Sequence, residues 1–287
     1  MKKIPIRQIR TDPDKPLNYE RFKIRTVQEI LDGKILQQEL HRHDFFFILL
    51  LQNGSGSHDI DFISYQVLDK SIFFLRPGQV HQLTLNPVCK GFLMEFSYEF
   101  YHPKSQISSQ RLRKASNKNY CKLDSDRFDK LQEILSHIYQ EYSTGEDGYL
   151  DIIKANLEIF FIEFLRQSKS ILTISPAVSS YTHDRFEEFL ELLEKHITIK
   201  KQVAEYCDLM NLSLYQLNGI TKISIGKSPS ELINGQIILE AKRFLLATPN
   251  QIKDIADFLG YEDVSYFIRF FKKHTGYSPE AFRNNPR

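Results

Sequence analysis

The sequence predicts an α+β protein: a small β-barrel or sandwich in the N-terminal half, two helices after it, and an all-helical C-terminal domain. Three observations carry that reading. Short apolar runs broken by Gly and Pro fill roughly residues 35–100. Two apolar stripes at helical steps of three and four follow them. The last third contains an internal repeat, in which Gly226-Lys-Ser-Pro229 recurs as Gly276-Tyr-Ser-Pro279.

The N-terminal runs are Phe45–Leu51 and Ile72–Leu75. Asn53-Gly54-Ser55-Gly56 reads as a hairpin turn, because glycine supplies the positive φ that such turns need, and Pro77-Gly78 and Asn86-Pro87 read as further turns. Phe128, Leu131, Leu135, Ile138 and Tyr142 then form one helical stripe, and Leu150, Ile153, Leu157, Phe160 and Phe164 form another, widened by Ile159, Phe161 and Ile162. So broad a stripe serves either a two-helix cap on the barrel or a second subunit. Ser168–Ser180 is rich in small polar residues and carries one proline, the composition of an interdomain linker. The domains expected are therefore 1–123, a β domain; 124–168, a helical segment that serves as a dimerisation surface; 169–181, the linker; and 182–287, the helical domain.

A chain of 287 residues can bury two cores of ordinary size. Its 41% hydrophobic and 26% charged content is that of a soluble globular protein. No apolar run has the length a bilayer demands, and the basic N-terminus lacks the apolar stretch of a signal peptide. Three scattered cysteines, Cys89, Cys121 and Cys207, lack metal-ligand spacing and suit a reducing compartment, so the expectation is a cytoplasmic protein with no membrane partner. A net charge of +2 does not by itself mark a nucleic-acid binder. Any basic surface has to be local, and Lys222, Lys227, Lys242, Arg243, Arg269, Lys272 and Lys273 cluster beyond an acidic helix expected around 184–194.

Each copy of the repeat reads as helix, tight turn, helix. In the second, Ile252, Ile255, Ala256 and Leu259 share one face, Gly260 ends the helix, and Asp263 caps the next. Val264, Phe267, Ile268 and Phe271 are its buried stripe, while Ser265, Tyr266, Arg269, Lys272 and Lys273 lie opposite. In the first copy Val203, Tyr206, Cys207 and Met210 pack the supporting helix. Ser213 caps the next one, whose buried side is Leu214, Leu217 and Ile220 and whose outer side is Tyr215, Asn218, Gly219 and Lys222. A helix that enters the major groove needs this division, with one side anchored in its domain and the other presenting polar groups to base edges.

The segment IKDIADFLGYEDVSYFIRFFKKHTGYSPEAFR closely resembles the second helix-turn-helix of the AraC/XylS family of bacterial regulators. The segment from Val203 through Ile233, with the helix 231–247 after it, resembles the first helix-turn-helix and the long connecting helix. The resemblance implies a sequence-specific regulator of transcription, of which activators are the commoner kind, with double-stranded DNA and RNA polymerase as partners. It carries the base-reading positions onto Tyr215, Asn218 and Gly219 in the first recognition helix. In the second it carries them onto Val264, Ser265, Tyr266 and Arg269, with Lys222, Lys272 and Lys273 beside them. Gly219 stands where the family usually has arginine, and Thr221 where it often has phenylalanine.

HRHDFFFILLLQNGSGSHDIDF, Ser71–Phe74 and Pro77–His81 resemble the cupin-like sensory domain that many such regulators carry, which makes the expected β part a cupin-like barrel. His41 and His43 share a strand face and, with His81, resemble the three-histidine set that holds iron, zinc or manganese in catalytic cupins. Those cupins add a glutamate three or four residues beyond the second histidine, where this chain has Phe47 and Ile48. The expectation is therefore no metal, no cofactor and no catalysis, with a cupin metalloenzyme carrying an accessory helical domain as the alternative. A small-molecule effector is assigned to His41, His43, Phe45, Phe47, His81 and Phe96, and a homodimer to the helices of 124–168.

Overall fold

A computed structural model describes residues 5–9, 21–101, 103, 105–168 and 180–284, which fall into two compact units, one ending at Ser168 and the other beginning at Ser180. The expected linker, 169–181, lies almost wholly outside the described residues.

The N-terminal unit is built from strands β1 (Ile6–Arg7), β2 (Phe22–Thr26), β3 (Leu36–His43), β4 (Phe46–Asn53), β5 (Gly56–Ile60), β6 (Ile63–Val67), β7 (Ser71–Leu75), β8 (Val80–Leu85), β9 (Lys90–Phe96) and β10 (Tyr120–Lys122). Helices α1 (Val27–Leu31), α2 (Gln106–Ser116), α3 (Ser125–Thr144) and α4 (Tyr149–Ser168) complete it. Two five-stranded sheets form, in the orders β1-β3-β8-β5-β6 and β10-β7-β4-β9-β2.

The run Phe45–Leu51 accounts for the layering, because a strand that is apolar at every position must be covered on both faces. Phe45, Phe47, Leu49 and Leu51 join Phe73, Leu75, Leu83 and Leu85 in the core between the sheets. Phe46, Ile48 and Leu50 point the other way, into a second core shared with Ile72, Phe74, Phe96, α3 and α4. The expected stripes supply the helical side of that core: Phe128, Leu131, Leu135 and Ile138 from α3, and Ile153, Leu157, Phe160, Phe161 and Phe164 from α4. Each fully buried Phe or Leu stabilises the unit by about 1.5–3 kcal/mol, so these residues are spent on the barrel. Of the α4 stripe and its flank, Ile152, Ala155 and Ile159 remain exposed.

Asn53–Gly56 is not a hairpin. β4 and β5 belong to different sheets, so the segment is a crossover, and 76–79 and 86–89 are crossovers as well. The close approach explains the glycine at 56: a Cβ there would lie 2.0 Å from the Thr84 carbonyl oxygen. The tight hairpin lies between β5 and β6, where Ile60 faces Ile63 and the two turn residues, Asp61 and Phe62, both have positive φ.

The C-terminal unit is helical throughout: α5 (Ser180–His196), α6 (Val203–Met210), α7 (Leu214–Ile225), α8 (Pro229–Ala247), α9 (Ile252–Phe258), α10 (Val264–Thr275) and α11 (Pro279–Asn284). The repeated Gly-X-Ser-Pro is a helix stop followed by a helix start. Gly226 and Gly276 end α7 and α10 in the left-handed conformation. Ser228 caps α8 with Glu231 completing a capping box, the Ser278 hydroxyl accepts from the Ala281 N–H, and Pro229 and Pro279 take the first helical position. α8 packs against both pairs, α6 with α7 and α9 with α10. Arg243, expected among the surface cations, is instead buried in α8 beside Glu240.

Candidate functional site

The two recognition helices are set up alike. Ser213 caps α7 with Gln216 as its reciprocal partner, and Asp263 caps α10 by accepting from the Ser265 N–H at 2.7 Å. Each is pinned by a core residue with no exposure, Leu217 or Phe267. Their outer faces differ. α10 presents Ser265, Tyr266, Arg269, Lys272 and Lys273 to solvent, with Val264 half-buried at its start. Arg269 stands 3.7 Å from Asp263, an exposed pair that costs little to separate on meeting a duplex. α7 presents Tyr215, which is 88% exposed, together with Asn218 and Lys222. Gly219 is on the same side, and a Cβ there would meet nothing within 4 Å. Leu214, expected in the buried stripe, is exposed, so that side chain does not anchor the first turn of α7. Thr221 is fully buried and its hydroxyl donates to the Asn218 carbonyl, so it packs and does not read.

Two positioning roles escaped the sequence reading. The Lys201 ammonium donates to the Gly260 carbonyl at 2.9 Å and lies over the Tyr261 ring, tying the loop before α6 to the turn of the second pair. The Arg283 guanidinium donates to the carbonyls of Leu245 and Asn250, locking α11 onto the end of α8. Neither has a helical period to betray it, because both act across the fold.

In the N-terminal unit a cavity of about 840 Å³ opens beside β1, β2 and β9. His43, Phe45 and Phe47 line it together with Ile9, Ile30 and Leu93, and its polar lining gathers Arg7, Lys23 and Arg25 around one carboxylate, Glu95. Burial pushes the Glu95 carboxyl upward while Arg25, 3.2 Å away, pulls it back. Of the six expected effector residues, three line this space. His41 and His81 are not among its lining residues but meet His43. Phe96 does not belong with them: β9 turns its side chain into the helical core, where it stacks on Phe46 at 5.1 Å and packs on Phe161.

The histidines converge more closely than their spacing implied. His41 lies directly across from His81 in the β3–β8 ladder. His43 Nε2 is 2.9 Å from His41 Nε2 and 3.3 Å from His81 Nε2. A fourth, His58 on β5, places its Nε2 2.8 Å from His81 Nδ1. All four are buried, and burial first, then repulsion by neighbouring histidines, holds down the basicity of His43, His58 and His81, to about 3 for His43 and His58. For His41 the fall, to about 4, is burial together with the charge of Arg7, opposed by its bond to the Glu39 carbonyl. His58 was legible in principle, since it alternates with Ile60 on a strand whose other face is wet.

Comparison with known proteins matches both units. The family of AraC-like ligand binding domains matches residues 37–145, and a helix-turn-helix domain family matches residues 206–285. The chain is 22% identical over 247 residues to the HTH-type transcriptional activator RhaS of Escherichia fergusonii, covering 85% of this chain and 86% of that one. It is 21% identical over 249 residues to RhaS of Enterobacter sp. strain 638, covering 85% and 86%. Among solved structures, ToxT from Vibrio cholerae O395 aligns over 93% of this chain and 99% of its own at 16% identity, with a TM-score of 0.42. The C-terminal domain of the response regulator yesN from Fusobacterium nucleatum aligns over 34% of this chain and 96% of its own at 28% identity, with a TM-score of 0.32.

Proposed function

The chain belongs to the AraC family of DNA-binding transcription regulators, and from that premise we propose that it is a cytoplasmic, effector-controlled activator that reads its site mainly through α10. The observation that carries the reading is the outer face of α10, where Tyr266, Arg269, Lys272 and Lys273 stand exposed on a helix held rigid by Phe267 and Phe271 behind them. Arg269 reads a guanine edge, Lys272 and Lys273 meet phosphates, and Val264, Ser265 and Tyr266 fill the groove around them. Tyr215, Asn218, Gly219 and Lys222 take the second, weaker contact. Activation implies a contact with RNA polymerase, in keeping with the activators the chain is similar to.

The effector is an anion with an apolar body. Among the described lining residues three side chains are cationic and one is a carboxylate, which favours an anionic group, and Phe45, Phe47, Ile9, Ile30 and Leu93 supply apolar walls. Binding shifts a population between conformations that differ in their affinity for DNA. No helix among the described residues is long and apolar enough to cross a membrane. Because the α3 and α4 stripes are taken up by the barrel, homodimerisation falls to the strip Ile152, Ala155 and Ile159 on α4. Ile159→Glu is expected to convert dimer to monomer in sedimentation without lowering the melting temperature; an unchanged dimer removes that surface.

Selection of the full-length chain against random duplex DNA, followed by salt titration of the enriched site, tests the main reading. An enriched motif whose affinity falls steeply with salt is the expected result. No enrichment at any salt, with and without small anionic amphiphiles, would sink it.

A further inference from the structure

The four buried histidines stand on three neighbouring strands of one sheet, His41 and His43 on β3, His81 on β8 and His58 on β5. One ring nitrogen from each of His41, His43 and His81 lies within 4.8 Å of the others, and the three residues are 2%, 5% and 0% exposed. Hydrogen bonding alone does not account for this convergence. The Glu39 carbonyl, 2.6 Å from His41 Nδ1, can only accept, so that nitrogen carries the ring's proton and His41 Nε2 presents a lone pair to His43. His43 Nε2 faces two partners, His41 Nε2 and His81 Nε2, yet a neutral ring has at most one proton there and can satisfy one of them.

We propose that this cluster is a binding site for a divalent first-row transition-metal ion, held by Nε2 of His41, His43 and His81, with His58 positioning His81. A cation at the centre accepts all three lone pairs at once. Metal–nitrogen bonds of about 2.0–2.1 Å put ligand atoms about 2.8–3.0 Å apart in an octahedral arrangement and about 3.3–3.4 Å in a tetrahedral one. His43 Nε2 lies 2.9 Å from His41 Nε2 and 3.3 Å from His81 Nε2, which spans that range, and all three nitrogens lie within 4.8 Å of one another, so a bound ion would draw them to one spacing. With an ion bound, the outer nitrogens would carry the protons, His41 Nδ1 donating to the Glu39 carbonyl and His81 Nδ1 to His58 Nε2, 2.8 Å away. Three imidazoles without a carboxylate suit zinc, copper, iron or nickel and not magnesium or calcium. Phe47, whose ring lies within 5.4 Å of His43 and His81, stands where a carboxylate ligand would follow in sequence, so among the described residues the site has three protein ligands and no protein anion. The ion would tie β3 to β8 beside the cavity that His43 also lines. The inference concerns the N-terminal unit alone and stands whether or not the cavity takes an effector.

The test is titration of zinc into untagged, chelator-treated full-length protein in competition with a chromogenic chelator, together with the visible spectrum after cobalt(II) substitution. One tight equivalent per chain, a higher melting temperature and ligand-field bands lost in His43→Gln are expected. His58→Ala should weaken zinc 10–100-fold, with His58→Gln, which restores an acceptor, recovering most of it. Exposed His137, on α3, serves as the control, and His137→Gln should leave binding unchanged. If His43→Gln does not fold, the wild-type titration decides alone. Absence of a tight equivalent from folded wild-type protein overturns the proposal, and so does binding that survives His43→Gln.

Discussion

The two recognition helices are held in much the same way and differ in the charge they offer. α7 and α10 each run 12 residues, each begins at a side-chain cap, each ends at a left-handed glycine and each buries a residue at its middle. Yet α10 turns outward a serine, a tyrosine, an arginine and two lysines, where α7 turns outward a tyrosine, an asparagine, a glycine and one lysine. A scaffold can thus be duplicated while its reading face diverges, because the buried face sets stability and the exposed face is free to change. That separation says which substitutions break the fold and which only change what is read.

The largest effect should come from the shared, buried side. Phe267→Ala removes a ring with no exposure and is expected to cost about 3–5 kcal/mol, with Leu217→Ala costing about 2–5. Chemical denaturation followed by helical signal measures both; a cost under 1 kcal/mol at either would mean that its helix is not anchored as described. Next comes the outer face of α10. Arg269→Ala should weaken binding to the enriched site by about 1–3 kcal/mol while leaving the melting temperature alone. The reciprocal change, Gly219→Arg, should tighten binding by up to a similar amount, since open space surrounds position 219. Fluorescence anisotropy reads both, and an unmoved affinity for Gly219→Arg would put α7 outside the groove. Smallest is Gly219→Ala, which should stabilise the C-terminal unit by about 1 kcal/mol through helix propensity, without altering base preference.

Much of this was legible in the chain. The apolar faces, the caps at Ser213 and Asp263 and the Gly-X-Ser-Pro punctuation are local signals, with cause and effect a few residues apart, whereas the AraC-like and cupin-like expectations rest on the resemblance of whole segments, Ile252–Arg283 and His41–Phe62, to those families. What escaped was non-local. Asn53–Gly56 looks like a hairpin because a glycine-rich turn says nothing of which sheet the next strand joins. Phe96 looks like a pocket residue because strand alternation fixes that neighbours face apart, not which face is the cavity. Leu214 looks buried by period, yet the first turn of a helix can lie beyond the edge of its partner. The convergence of His58 with three other histidines depends on β5 and β3 both flanking β8, an order that only the folded sheet supplies.

The most direct measurement of the central claim is a base-by-base substitution of the enriched duplex, read with wild-type protein and with Arg269→Ala. The account predicts that wild-type penalties of about 1–3 kcal/mol per base pair concentrate in one block, and that Arg269→Ala flattens that block while the rest of the profile stands. Penalties divided evenly between two blocks, or a dominant block that survives Arg269→Ala, would contradict it.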